Sequence, residues 1–148
     1  MFKVHYETSL ELTKEDMKSL FCAIGQGSGY WAEEVTFGNV KTDEEGYYEG
    51  EYEWEGCAAW ANDFSLDDPI TGFDREDKEK IKLTIKDLLT AINKISSNKT
   101  SIHWDYACQI ASCFKPKEED EEIDMSLIDA ALADMIFQVA CYEDTIYG

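Results

Sequence analysis

"KIKLTIKDLLTAINKI", residues 80–95, contains the switch on which the fold reading turns. "KIKLTI" reads as a strand. Ile85, Leu88, Leu89 and Ile92 then recur at helical spacing, the apolar stripe of an amphipathic helix. Thr84 with Asp87 three residues on has the form of a capping box. The same order occurs upstream. "FKVHYETSLEL" (2–12) alternates as a first strand, with Phe2, Val4 and Tyr6 on one face. Thr13 and Asp16 in "TKED" then cap a helix through about Ile24, along Met17, Leu20, Phe21 and Ile24.

Working outward, "GQGSG" (25–29) ends that helix, "YWAEEVTFGNV" (30–40) is either a helical turn or a strand, and "KTDEEG" (41–46) is a turn. A strand follows from Tyr48. "CAAWANDF" (57–64) continues as strand or bend, and "SLDDPITGFDRED" (65–77) is a loop by its Asp, Pro and Gly content. "HWDYACQIASCF" (103–114) is a short helix and "KPKEEDEE" (115–122) an exposed charged loop. Asp124 caps a final helix from about Met125 to Cys141, and "DTIYG" adds an edge strand. Strands and helices do not alternate strictly. The expectation is one α+β domain over residues 1–148, a small antiparallel sheet packed against three to four helices.

The 148 residues suffice for a single core, and 44% apolar with 13% aromatic residues argue against intrinsic disorder. No apolar run is long enough to span a bilayer, and "MFKVHYETSL" lacks a signal-peptide layout, so a soluble, cytosolic protein is expected. Five cysteines, an odd number without a close pair, read as reduced thiols.

Familiar chemistries find little support. The glycines at 25–29 follow a helix and lack the Lys of a P-loop, so a helix C-cap accounts for them better than a phosphate site. His103, Cys108 and Cys113 are spaced by five, about 140° apart on a helix, and cannot converge on a metal. Asp63 to Asp74 has acids at EF-hand positions, but Asp68 stands where the sharp turn needs glycine. Neither His5 nor His103 lies in a nucleophile signature. Abundant acids always supply carboxylate pairs, as glycoside chemistry requires, but abundance is not a motif. No enzymatic activity, cofactor or metal is expected.

Charge is the strongest global feature. The net charge is −19, and it sits in two blocks. Thr42 to Asp74 holds eleven acids and no Lys or Arg, Glu118 to Gly148 ten acids and no base, and the remainder is near neutral. Within the first block "YEGEYEWEG" (48–56), read as one strand, sets Tyr48, Tyr52 and Trp54 on one face and Glu49, Glu51, Glu53 and Glu55 on the other. Those carboxylates would stand about 6.7 Å apart with nothing to offset their repulsion. Most charge runs are merely solvated faces. A rigid row of negative charge, however, resembles a nucleic-acid strand, whose phosphates fall about every 3.4 Å, and could meet the same lysines and arginines. Candidate partner-binding residues are therefore Asp43, Glu44, Glu45, Glu49, Glu51, Glu53 and Glu55, with Glu118, Glu119, Asp120, Glu121 and Glu122 as a second patch or a solvated loop.

"GYWAEEV" (29–35), "LTIKDLLTAI" (83–92) and "IDAALADMIFQVACYEDTIYG" (128–148) together resemble small acidic proteins of phages and prophages of Gram-positive bacteria. The shared pattern is Tyr30-Trp31 after a glycine turn, Leu83-Thr84 with Leu88-Leu89, and Tyr147-Gly148 closing the last helix; it covers about half the chain and excludes the acidic segment Thr42 to Glu55. The resemblance implies an anti-defence role, anti-CRISPR proteins and DNA mimics included. It carries over no catalytic residue. The expected partner is a basic nucleic-acid-binding protein of the host, such as a CRISPR nuclease, met in the host cytoplasm. Neither direct nucleic-acid binding nor a membrane is expected, and a homodimer is compatible with the sequence. Two alternatives stand beside this. One is a protein that sequesters a nucleotide immune signal, with the Tyr-Trp cluster as pocket and Lys78, Lys80 and Lys82 supplying positive charge; the other is a phage accessory or assembly protein whose acids only solvate it.

Overall fold

The computed structural model describes residues 2–5, 9–42, 44–45, 48–49, 51–52, 58–97, 99–114 and 125–147. "FKVHYETSLEL" forms two strands, β1 (Phe2–His5) and β2 (Ser9–Leu12), paired as an antiparallel hairpin rather than one strand. Helix α1 (Lys14–Ser28) starts at the expected capping box: Asp16 N–H donates to Thr13 Oγ1 at 3.1 Å, and Thr13 N–H to Asp16 Oδ2 at 2.9 Å. It runs one turn beyond Ile24, so Gly25 and Gly27 lie inside it. Gly27 is there for close approach, since a Cβ at this position would lie 2.0 Å from the Ala130 carbonyl oxygen.

Strand β3 (Ala32–Phe37) resolves the ambiguous "AEEVTF". Next come β4 (Lys41–Thr42), β5 (Tyr48–Glu49), β6 (Glu51–Tyr52), β7 (Ala58–Trp60), β8 (Pro69–Asp74) and β9 (Lys80–Thr84). The main sheet has the order β6-β7-β3-β8-β9. It is mixed, not purely antiparallel: β3 and β7 run parallel, because β7 returns beside β3 only after the β4–β5 hairpin and β6 have redirected the chain.

Strand β8 corrects the loop expected at 65–77. Pro69 is its first residue, where a missing N–H costs least, and Gly72 passes under Val35, with a Cβ there 3.2 Å from Val35 Cγ2. Tertiary fit overrides local turn chemistry.

After β9 the Thr84–Asp87 box starts α2 (Ile85–Ser96), with Thr84 N–H donating to Asp87 Oδ2 at 2.8 Å. Helix α3 (Trp104–Phe114) lies where expected. The last helix begins later than the expected Met125, and the expected cap, Asp124, lies outside the described residues. A 3₁₀ turn (Met125–Leu127) intervenes, and Asp129 caps α4 (Ala130–Tyr142) by accepting from Leu132 N–H at 2.8 Å. Among the described residues the tail forms no edge strand.

Helix α1 packs against α4, and α2 against α4, α3 and β1. One sheet face, with Phe37, Ile70 and Ile81, joins them in a single core, where Phe21 stacks on Phe37 at 4.3 Å. Burying each such side chain contributes about 1.5–3 kcal/mol. Thr36 and Thr71, whose hydroxyls lie 2.7 Å apart, belong to the opposite face with Lys82. No described helix is long and apolar enough to cross a membrane.

Candidate functional site

Two carboxylates lie inside this core, and the chain supplies neither with a cation among the described residues. Asp134, the one charged residue in "ALADMIFQVA" of α4, is 8% exposed. Its Oδ1 accepts from Ser28 Oγ at 2.9 Å and Trp31 Nε1 at 2.7 Å. Its Oδ2 accepts from Tyr30 OH at 2.7 Å and Gln138 Nε2 at 3.0 Å. Ser28, Tyr30 and Trp31 come from the end of α1 and the turn after it, which the glycine contact at Ala130 holds against α4.

Asp74, at the end of β8, is fully buried. Its Oδ1 accepts from Glu76 N–H at 2.8 Å and Asp77 N–H at 3.1 Å. Its Oδ2 takes the hydroxyls of Tyr142 and Tyr147. Trp31 bridges the two sites. Its ring stacks on Tyr147 at 5.1 Å and lies 5.8 Å from Tyr142. Tyr30-Trp31 and Tyr147, distant in sequence, therefore meet in space.

Each carboxylate accepts four hydrogen bonds, two per oxygen, which fills its lone pairs and leaves none to act as base or ligand. Both are hubs that tie α1, β8, α4 and the tail together. Burial by itself would raise the Asp74 carboxyl, but the Tyr142 and Tyr147 hydroxyls and the two backbone N–H groups outweigh it and hold it below its ordinary range. Burial and the bond to Asp134 push the Tyr30 phenol up to about 12. Burial, then the charges of Asp74 and Asp134, push the Cys141 thiol up to about 12, so it is no nucleophile at neutral pH.

The expected partner-binding acids are placed as follows. Glu44 and Glu45 are exposed in the turn between β4 and β5, and Glu49 lies on β5. Glu51 lies on β6, an edge strand of the main sheet. The row is not one strand: β5 pairs with β4, whereas β6 pairs with β7 in another sheet. The structure thus brings Glu44, Glu45 and Glu49 onto one hairpin and sets Glu51 on the neighbouring sheet edge. Asp43, Glu53, Glu55, Glu118, Glu119, Asp120, Glu121 and Glu122 lie outside the described residues.

The remaining acids of the first block separate. Asp63 pairs with Lys14 and Asp74 is the hub, so the acids at EF-hand positions one and twelve are engaged apart from each other; Asp68, at the glycine position, accepts from Ser65 N–H at 2.8 Å. No group of metal-ligating side chains occurs among the described residues. Cys22, Cys108, Cys113 and Cys141 form no disulfide. Beside Asp134 a shallow pocket of about 340 Å³ is lined by Tyr30, Met135, Gln138, Ile146 and Tyr147 among others. Among the described residues Asp134 is its one charged lining residue, so an anionic nucleotide entering there would meet a carboxylate; Lys78, Lys80 and Lys82 do not line it.

The hubs escaped sequence reasoning, although one signal was present: Asp134 is the lone charge in an apolar helix, and such a residue is buried with partners. Comparison with protein-family models, curated proteins and solved structures found no match.

Proposed function

We propose that the protein is a stoichiometric inhibitor of a basic nucleic-acid-handling protein, of the anti-CRISPR kind, which it blocks by presenting carboxylates where the target expects phosphates. The observation that carries the reading is where the negative charge goes. The interior aspartates are satisfied by neutral donors, so no base is spent on them. Lys14 pairs with Asp63 of the block at 42–74, whereas Lys18–Glu15, Arg75–Glu33 and Lys94–Glu143 join residues outside it. Glu44 is exposed at a hairpin turn and Glu51 lies on a sheet edge, in a segment with no Lys or Arg of its own. Cations from a partner would relieve that repulsion and give fast, salt-sensitive capture.

Capture from a bacterial lysate on the immobilised protein, at low and at high salt, tests this. Nucleic-acid-binding proteins should elute as salt rises, and Glu44, Glu45, Glu49 and Glu51 all changed to Lys should abolish their capture. Retention of the same proteins by that variant would sink the proposal.

A further inference from the structure

The surface of α3 is apolar and poor in acids. Trp104 is 64% exposed, and Trp104, Cys108 and Ala111 follow one another at helical spacing in a stripe facing outward beside α2. With Ile95, Ser96 and Ala107 they line an open groove of about 400 Å³. Between Thr90 and Phe114 the chain has one acid, Asp105, against Lys94 and Lys99. Two molecules of net charge −19 repel over most of their surfaces and can approach closely only where carboxylates are few. This is such a place, and it is apolar.

The stripe also complements itself. It is large at one end, small in the middle and small at the other end, over about 10.5 Å of helix. Two antiparallel copies of α3, related by a two-fold axis near Ala107 and Cys108, set each Trp104 over the other copy's Ala111. The small residues between them let the helices come close. We propose that two copies of the chain pair in this way, each Trp104 entering the groove between α2 and α3 of the other. This goes beyond the inhibitor reading and does not depend on it.

Sedimentation velocity of the full chain over a concentration series, at low and high salt, is the test. A dimer should form and should tighten as salt screens the repulsion, opposite in sign to the loss of a basic partner. Trp104→Ala should raise the dimer dissociation constant by about tenfold or more, with circular dichroism unchanged. Ala111→Glu, which puts a carboxylate under the indole, should act in the same direction and covers the case of a misfolded first variant. A short bismaleimide should link Cys108 to Cys108 in the native protein and not in Cys108→Ser. A monomer at every concentration and salt, or a dimer indifferent to both Trp104→Ala and Ala111→Glu, overturns the proposal, as does a Trp104 that is covered only by a different protein.

Discussion

At the scale of single residues, the two interior aspartates are what the fold cannot replace cheaply. Asp134 as an anion receives four donors at once, and an amide in its place keeps one acceptor oxygen and turns an NH₂ toward donors. Asp134→Asn should therefore cost about 2–3 kcal/mol in urea unfolding. A loss below a few tenths would mean that the four bonds are not acting together. Residue-level signals also marked what the sequence could reveal. Thr13 with Asp16 and Thr84 with Asp87 were legible because a capping box is complete within four residues. Gly27 was not, because its reason is a carbonyl on α4 more than a hundred residues away.

Among the elements, the tail shows how an expected strand is replaced. Gln138 on α4 acts as the strand partner would. Its Oε1 accepts from Ile146 and Tyr147 N–H, both at 2.8 Å, and its Nε2 donates to the Tyr147 carbonyl at 3.2 Å. The tail turns at Glu143, whose φ of 62° is left-handed, and this aims Tyr147 at Asp74. Gln138→Ala leaves those two N–H groups without their acceptor. It should cost about 1–3 kcal/mol and make the last residues sensitive to carboxypeptidase, read by mass spectrometry. A stable variant with a protected tail would show that the Tyr147–Asp74 bond alone suffices. Strand β8 was illegible for a related reason: Pro69 and Gly72 read locally as a turn, and only the neighbouring strands make them a strand. The acidic row reads as one strand in the sequence because alternation is visible there, whereas the choice between two partner sheets is not.

For the whole molecule, charge sets the response to pH. Asp74 is held below its ordinary range, so its contribution to stability is present above the unfolded value, about 4, and is lost as pH falls through the folded one. Tyr30 is raised to about 12, so its contribution is complete below about 10 and is lost as pH rises through 12. Between these limits the net charge of −19 opposes the compact state, and partial protonation relieves it. Denaturant melts should place the stability maximum below neutrality, near pH 5, with added salt stabilising the protein at pH 7. Destabilisation by moderate salt at pH 7 would show that self-repulsion is not the limiting cost. Total charge and its two blocks were fully legible in the sequence; the neutral donors that let one anion of each block sit inside were not.

The same charge carries the functional claim, and competition tests it most directly. A basic protein captured from lysate is loaded with a labelled nucleic acid, and the acidic protein is titrated in at several salt concentrations. The predicted result is displacement at one equivalent, weakening steeply as salt rises and absent for the variant with Glu44, Glu45, Glu49 and Glu51 changed to Lys. A ternary complex in which the nucleic acid stays bound would contradict it.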